Sequence, residues 1–133
     1  MTAMNENLRQ PAALRILLAD DSLLQQKLSA AILEKQGHDV TVANNGQEAI
    51  DALDDQDFDV VLMDVEMPVM NGLQAVSAIR ERESKIGRRT PVVAVTTLPD
   101  RGQFFAAGMD AYLTKPLRPE AFNRTLQNLG IQP

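Results

Sequence analysis

Five times along this chain a short, almost wholly apolar run gives way to a longer stretch whose apolar residues recur every three or four positions. Short continuous apolar runs suit strands covered on both faces, and the stretches between them suit amphipathic helices. Leu14-Arg15-Ile16-Leu17-Leu18-Ala19 reads as the first strand and stops at Asp20-Asp21. Ser22 is placed to cap a helix with Gln25 as capping-box partner, Leu24, Leu28, Ala31 and Ile32 as its apolar stripe, and Gly37 as its stop. Val40 to Ala43 is a second strand, after which Asn45 and Glu48 open a helix running through Leu53. Phe58 to Met63 is the third strand, and Asn71 caps a helix striped by Leu73, Val76 and Ile79. Pro91 to Val95 is the fourth, followed by a short helix that Asp100 and Gln103 open and Gly108 closes. Ala111 to Thr114 is the fifth, and Pro119 suits the first turn of a last helix with Phe122, Leu126 and Leu129 on one face and Gly130 beyond.

Repeated strand-then-helix units predict an α/β protein, with a doubly wound, five-stranded parallel sheet and helices on both faces. The 133 residues fit one domain over residues 14–130, with residues 1–13 as a loose leader. Arg80 to Thr90 is expected to include a charged, mobile connection in which Lys85, Arg88 and Arg89 are solvated. A net charge of −5 argues against direct nucleic-acid contact. With no Cys, neither a disulfide framework nor a thiolate metal site exists, and the lone His38 rules out a multi-histidine centre. No apolar run reaches the roughly 18 residues that cross a bilayer, and Met1 to Gln10 lacks a signal-peptide core. The expected location is the cytoplasm, with no membrane contact.

In a parallel α/β sheet, ligands bind beyond the carboxyl ends of the strands. Here the first strand ends in Asp20-Asp21, the third in Asp64, the fourth in Thr96-Thr97 and the fifth in Lys115. Singly, each has an ordinary explanation: a helix cap for Asp20 or Asp21, a turn for Asp64, a strand residue for Thr96, a surface charge for Lys115. Together they place three carboxylates, a hydroxyl and an ammonium on one rim. Carboxylates so close repel unless a cation sits among them, and an all-oxygen donor set favours a hard ion such as Mg²⁺. A carboxylate beside Mg²⁺ and an ammonium suits phosphoryl acceptance, because both cations stabilise incoming phosphoryl oxygens.

The residues that form this rim stand in recognisable motifs. Asp20-Asp21-Ser22, the run Met63-Asp64-Val65-Glu66-Met67-Pro68-Val69-Met70-Asn71-Gly72, Thr96, and the run from Gly108 through Lys115-Pro116 resemble the receiver domains of two-component response regulators and hybrid histidine kinases. The resemblance spans Leu14 to Leu129 and implies a flavodoxin-like fold with strand order 2-1-3-4-5. It further implies Asp64 as phosphoacceptor and Asp21 as a direct Mg²⁺ ligand. Asp20 would act through a metal-bound water, and the Glu66 backbone carbonyl would supply another metal oxygen. Lys115 would pair with the phosphoryl oxygens ahead of a cis bond to Pro116, and Thr96 and Tyr112 would form the switch. Tyr112 also reads as a half-buried strand aromatic. Thr97 stands where the family commonly has Ala or Gly, and the short interval from Thr96 to Lys115 implies an abbreviated fourth helix. The Glu66 side chain is expected to meet an attacking water or Lys115. Implied partners are a histidine kinase or a histidine phosphotransfer protein, in a phosphorelay closest in style to hybrid-kinase receivers. Such a chain is a switch rather than an enzyme, and with no output domain it would not control transcription directly. The alternatives are a Mg²⁺-dependent aspartyl-phosphate phosphatase and a receiver-like module that takes no phosphate.

Overall fold

A computed structural model describes residues 13–67, 70–97 and 100–131. All of the expected leader except Ala13 lies outside these residues, as do Pro68 and Val69 of the acidic motif. In chain order the elements are β1 (Arg15–Ala19), α1 (Leu23–Lys35), β2 (Asp39–Ala43), α2 (Gly46–Asp55), β3 (Val60–Asp64), α3 (Gly72–Ile86), β4 (Val92–Thr96), α4 (Arg101–Ala107), β5 (Ala111–Thr114) and α5 (Pro119–Asn128). The five strands are parallel in the order β2-β1-β3-β4-β5. This is the order that the resemblance implies.

Side chains alternate across the sheet, so each strand feeds two cores. On one face Leu17, Val61, Met63, Val92 and Ala94 pack with Ala49 and Leu53 of α2, Val76 and Ile79 of α3, and Phe104 of α4. On the other, Ile16, Leu18, Val60, Leu62, Val93 and Val95 pack with Leu33 of α1 and Phe122 and Leu126 of α5. β3 and β4 are buried along their whole length, which explains why their sequences show no polar alternation.

The helices start where the sequence predicts. Ser22, Asn45, Asn71 and Asp100 each accept a backbone N–H from three residues on, and Asn71 with Gln74 completes a reciprocal capping box. Two expectations need correction. The inward residues of α1 are Gln26, Ser29 and Leu33, while Leu24 and Leu28 are 65% and 52% exposed and Ala31 is exposed. Both sets have helical spacing, and periodicity alone does not say which faces the sheet. The polar set faces inward because the carbonyl of Asp20, just past the end of β1, needs a donor, and an inward Gln26 supplies it. The charged stretch from Arg80, expected to include a mobile connection, is helix as far as Ile86, and Arg80 and Glu83 are held in ion pairs. Lys85, Arg88 and Arg89 are exposed, as expected.

His38 is part of the second core. Its Nδ1 accepts the Leu14 N–H at 3.1 Å, and its ring lies edge-on to Phe122. Accepting at Nδ1 requires the neutral ring with its proton on Nε2, and burial lowers the pKa from 6.5. A lowered folded pKa means that the unfolded chain takes up the proton first. His38 therefore contributes stability that is complete above about pH 6.5 and is lost as pH falls from there toward the folded pKa. A proton NMR titration of the folded protein should give a His38 midpoint below that of a histidine peptide. A midpoint at or above the peptide value would contradict the buried, neutral ring.

Candidate functional site

Parallel pairing in register brings the strand ends level: Ala19 pairs with Ala43 and Met63, Asp64 with Val95, and Thr96 with Thr114. The next residues therefore emerge along one edge. Asp20, Asp21 and Asp64 each bring one carboxylate oxygen within 4.8 Å of the others. Asp20 and Asp64 are buried and Asp21 is exposed. Lys115 follows β5, ahead of a cis bond to Pro116, and sets its Nζ 2.9 Å from Asp64 Oδ1. The same oxygen accepts the Glu66 N–H at 3.1 Å.

Asp64 is only 2% exposed, and burial pushes its pKa up from 3.8 to about 6. The hydrogen bond and charge of Lys115 pull it down, the negative charge of Asp20 pushes it up, and the Glu66 N–H pulls it down. Burial also acts against the Lys115 ammonium, yet Asp64, Asp20 and Glu66 together hold its pKa above the usual lysine value. The site is thus a buried acid with one cation and too many anions. Perturbed groups of this kind gather at functional sites.

Local contacts fix the pieces. Asp20 Oδ1 accepts the Ser22 N–H at 2.9 Å, an Asx-type turn that carries β1 into α1. Behind Asp64 the backbone of α3 comes so close that a Cβ on Gly72 would lie 2.5 Å from the Asp64 carbonyl oxygen. Only glycine permits that approach. Thr96 is buried and donates its hydroxyl to Glu66 Oε2 at 2.9 Å. The Glu66 carboxylate thus meets Thr96, where a contact with Lys115 or a water was expected. Tyr112 is half-buried with its ring 6.4 Å from that of Phe104, and the Arg101 guanidinium lies 5.8 Å from it. α4 spans only Arg101–Ala107, in keeping with the short interval to Lys115. Thr97 is exposed at the rim.

Sequence reasoning missed Gln26 and Asn44. Gln26 is buried and donates from Nε2 to the Asp20 carbonyl at 2.5 Å and to Asn44 Oδ1 at 2.7 Å. Asn44 in turn donates from its backbone and its side chain to Glu48 Oε1, at 2.8 and 3.0 Å. The sequence carried no signal for either, since the apolar stripe of Leu24, Leu28, Ala31 and Ile32 left Gln26 on the opposite face.

The donor set fits a hard divalent cation. Two oxygens bound to one Mg²⁺ at about 2.1 Å lie no more than about 4.2 Å apart. Carboxylate oxygens that all lie within 4.8 Å of one another are close enough to share one such ion, directly or through a bound water. Burial is the main cause of the raised Asp64 pKa, with the negative charge of Asp20 adding to it, and a cation bound there would favour the ionised carboxylate against both. No described helix is long and apolar enough to cross a membrane.

Comparison with known proteins gives the same answer by another route. The chain is 38% identical over 114 residues to the hybrid signal transduction histidine kinase I of Dictyostelium discoideum, covering 80% of this chain and 7% of that protein. It is 39% identical over 107 residues to the sensor histidine kinase GacS of Pseudomonas protegens, covering 77% of this chain and 12% of the kinase. The chain therefore spans a small fraction of these curated relatives. Among solved structures, the receiver domain of sensor histidine kinase PA1611 from Pseudomonas aeruginosa, with a magnesium ion coordinated in its active site cleft, aligns with a TM-score of 0.78. It is 36% identical, over 88% of this chain and 97% of that one. The receiver domain of Saccharomyces cerevisiae Ssk1, co-crystallised with the histidine phosphotransfer protein Ypd1, aligns with a TM-score of 0.80 at 26% identity, over 89% of each chain. The model of the response regulator receiver domain matches residues 16–127, and the chain belongs to that family.

Proposed function

We propose that residues 14–130 form a phosphorelay receiver in which Asp64 accepts a phosphoryl group from a phosphohistidine and passes on or reports that event. The observation that carries this reading is the placing of a buried Asp64 between the Lys115 ammonium and a further pair of carboxylates at the sheet edge. Lys115 and the Glu66 N–H both engage Oδ1, so Oδ2 keeps its lone pairs for attack. Attack forms an O–P bond and breaks the P–N bond of the donor, whose imidazole leaves neutral with its second nitrogen protonated. Asp21, Asp20 and Asp64, with the Glu66 carbonyl, would hold Mg²⁺, which when bound supplies positive charge to the transferring oxygens. Lys115 is placed to take another of those oxygens. The Thr96 hydroxyl would leave Glu66 for the phosphoryl group, and the movement would reach Tyr112 and the surface of α4, β5 and α5.

A donor must approach this edge past the start of α1, where Leu23, Leu24 and Leu28 stand exposed. These leucines are a contact surface for the phosphohistidine protein, a histidine kinase or a histidine phosphotransfer protein. That the Ssk1 receiver was crystallised with Ypd1 supports a partner of this type. The cytoplasm, where such donors work, is the proposed location.

Incubation with Mg²⁺ and acetyl phosphate should add the mass of one phosphoryl group to the protein. Asp64→Asn should add none, and Lys115→Met should react far more slowly. No mass gain in the unaltered protein, or a gain that survives Asp64→Asn, would sink this reading. Turnover of a phosphoester substrate would instead favour a phosphatase.

A further inference from the structure

We infer that Gln26 is a positioning residue for the acidic cluster, holding Asp20 and Asp21 in the geometry that receives the cation; this rests on the metal-binding part of the function proposed above. A buried glutamine on a face otherwise occupied by Ser29 and Leu33 needs partners for its amide. It has them at 2.5 Å on the Asp20 carbonyl and 2.7 Å on Asn44 Oδ1, which uses its donor capacity within the protein.

The consequence falls on Asp20. Its N–H donates to the Ala43 carbonyl at 3.0 Å, its carbonyl accepts from Gln26, and its Oδ1 accepts the Ser22 N–H at 2.9 Å. Among the described residues, the peptide between Asp20 and Asp21 is therefore fixed on its carbonyl side by Gln26, past the last rung of the β1 ladder. Turning that peptide would swing Asp21, the exposed member of the cluster, away from Asp64. Gln26 is itself steadied through Asn44, which is tied to Glu48 in the first turn of α2. One chain of hydrogen bonds thus runs from α2, across the end of β2, through α1, to the backbone of the acidic pair. Groups that orient metal ligands without touching the metal typically alter its affinity by tenfold or more.

A purely structural role would predict something else: Gln26 would satisfy an orphan carbonyl, and its loss would lower stability without changing how the folded protein binds the cation. Calorimetric titration with Mg²⁺, without any phosphodonor, separates the two. Gln26→Met keeps the length and loses the donors. It should bind Mg²⁺ about tenfold more weakly than the unaltered protein at a temperature where both are folded. Asn44→Ala, at an exposed position, leaves the Asp20 contact but removes its brace, and should weaken Mg²⁺ binding by a smaller factor. Unchanged Mg²⁺ affinity in a folded Gln26→Met overturns the inference, even if the melting temperature drops. If that variant does not fold, Asn44→Ala decides, and unchanged affinity there overturns the inference too. An unaltered protein that takes up no Mg²⁺ removes both this inference and the metal-binding reading beneath it. That outcome is distinct from one in which the unaltered protein binds and the variants bind equally well.

Discussion

In Mg²⁺-free buffer at pH 7.5, Asp64→Asn should be more stable than the unaltered protein, although it destroys the proposed acceptor. The sign follows from the direction of the Asp64 shift. Its folded pKa is raised from 3.8 to about 6, mainly by burial. Between those values the folded protein holds a proton that the unfolded chain has released, so this residue's contribution to stability falls as pH rises through that window. Above about pH 6 the cost is complete. A shift of this size corresponds at most to about 3 kcal/mol, and the loss of the Lys115 ion pair in the variant reduces the net gain to about 1–2 kcal/mol. For a domain of this size that is a rise of a few degrees in melting temperature, roughly 3–8 °C. The gap between the two proteins should shrink as pH is lowered toward 4, where Asp64 is protonated in the folded protein and the unfolded chain has begun to take up its own proton. Adding Mg²⁺ should narrow it too, because the ion binds the unaltered protein better and stabilises it by mass action. Thermal melts of both proteins from pH 4.5 to 7.5 check this. A variant no more stable at pH 7.5, or a gap that does not change with pH, would show that burial does not penalise the Asp64 carboxylate.

How much of this was legible in the sequence depended on the distance over which each signal acts. Strand ends were readable because an apolar run that stops at Asp20, Asp64 or Lys115 carries its own boundary, and parallel order then brings the boundaries together. Helix starts were readable because a cap and its partner lie three residues apart. The inward face of α1 was not. Leu24 and Leu28 compose as good a stripe as Gln26, Ser29 and Leu33, and the deciding contact is a carbonyl just past the end of the preceding strand. The Glu66–Thr96 hydrogen bond was equally out of reach, since Glu66 follows β3 and Thr96 ends β4, thirty residues on. The same holds for Arg80. It stands at the head of a charged run in which only a mobile connection was expected, whereas its acceptors beyond Glu83 lie at Thr90, Gly108 and Asp110.

Replacing Arg80 should therefore carry the largest stability cost of any surface-type residue in the chain. Its guanidinium donates to the Gly108 carbonyl at 2.9 Å, to Glu83 at 2.6 Å, to the Thr90 carbonyl at 2.8 Å and to Asp110 at 2.8 Å. The acceptors are themselves committed: Glu83 takes the Thr90 N–H, and Asp110 takes the Val92 N–H. One side chain thus joins α3 to the entry of β4 and to the turn between α4 and β5, at the end of the sheet away from the acidic cluster. Gly108, at φ 111°, supplies one of those carbonyls, and a Cβ there would lie 2.8 Å from the Arg80 side chain. Arg80→Met keeps the aliphatic stem and leaves Glu83 buried without its cation, a change that costs roughly 3–5 kcal/mol. Against a total stability of about 5–15 kcal/mol, that brings the domain close to its unfolding threshold. Arg89 is the internal control: it also pairs with Asp110, but its side chain is 58% exposed against 14% for Arg80. Arg89→Met should cost less than about 1 kcal/mol. Adding Glu83→Met to Arg80→Met should recover part of the loss, because no buried charge then remains on α3 without a partner. Urea unfolding of the four proteins measures all of these terms. Equal losses for Arg80→Met and Arg89→Met would mean that burial of the pair with Glu83 does not set the cost, and no recovery in the double variant would place the loss in the carbonyl contacts instead.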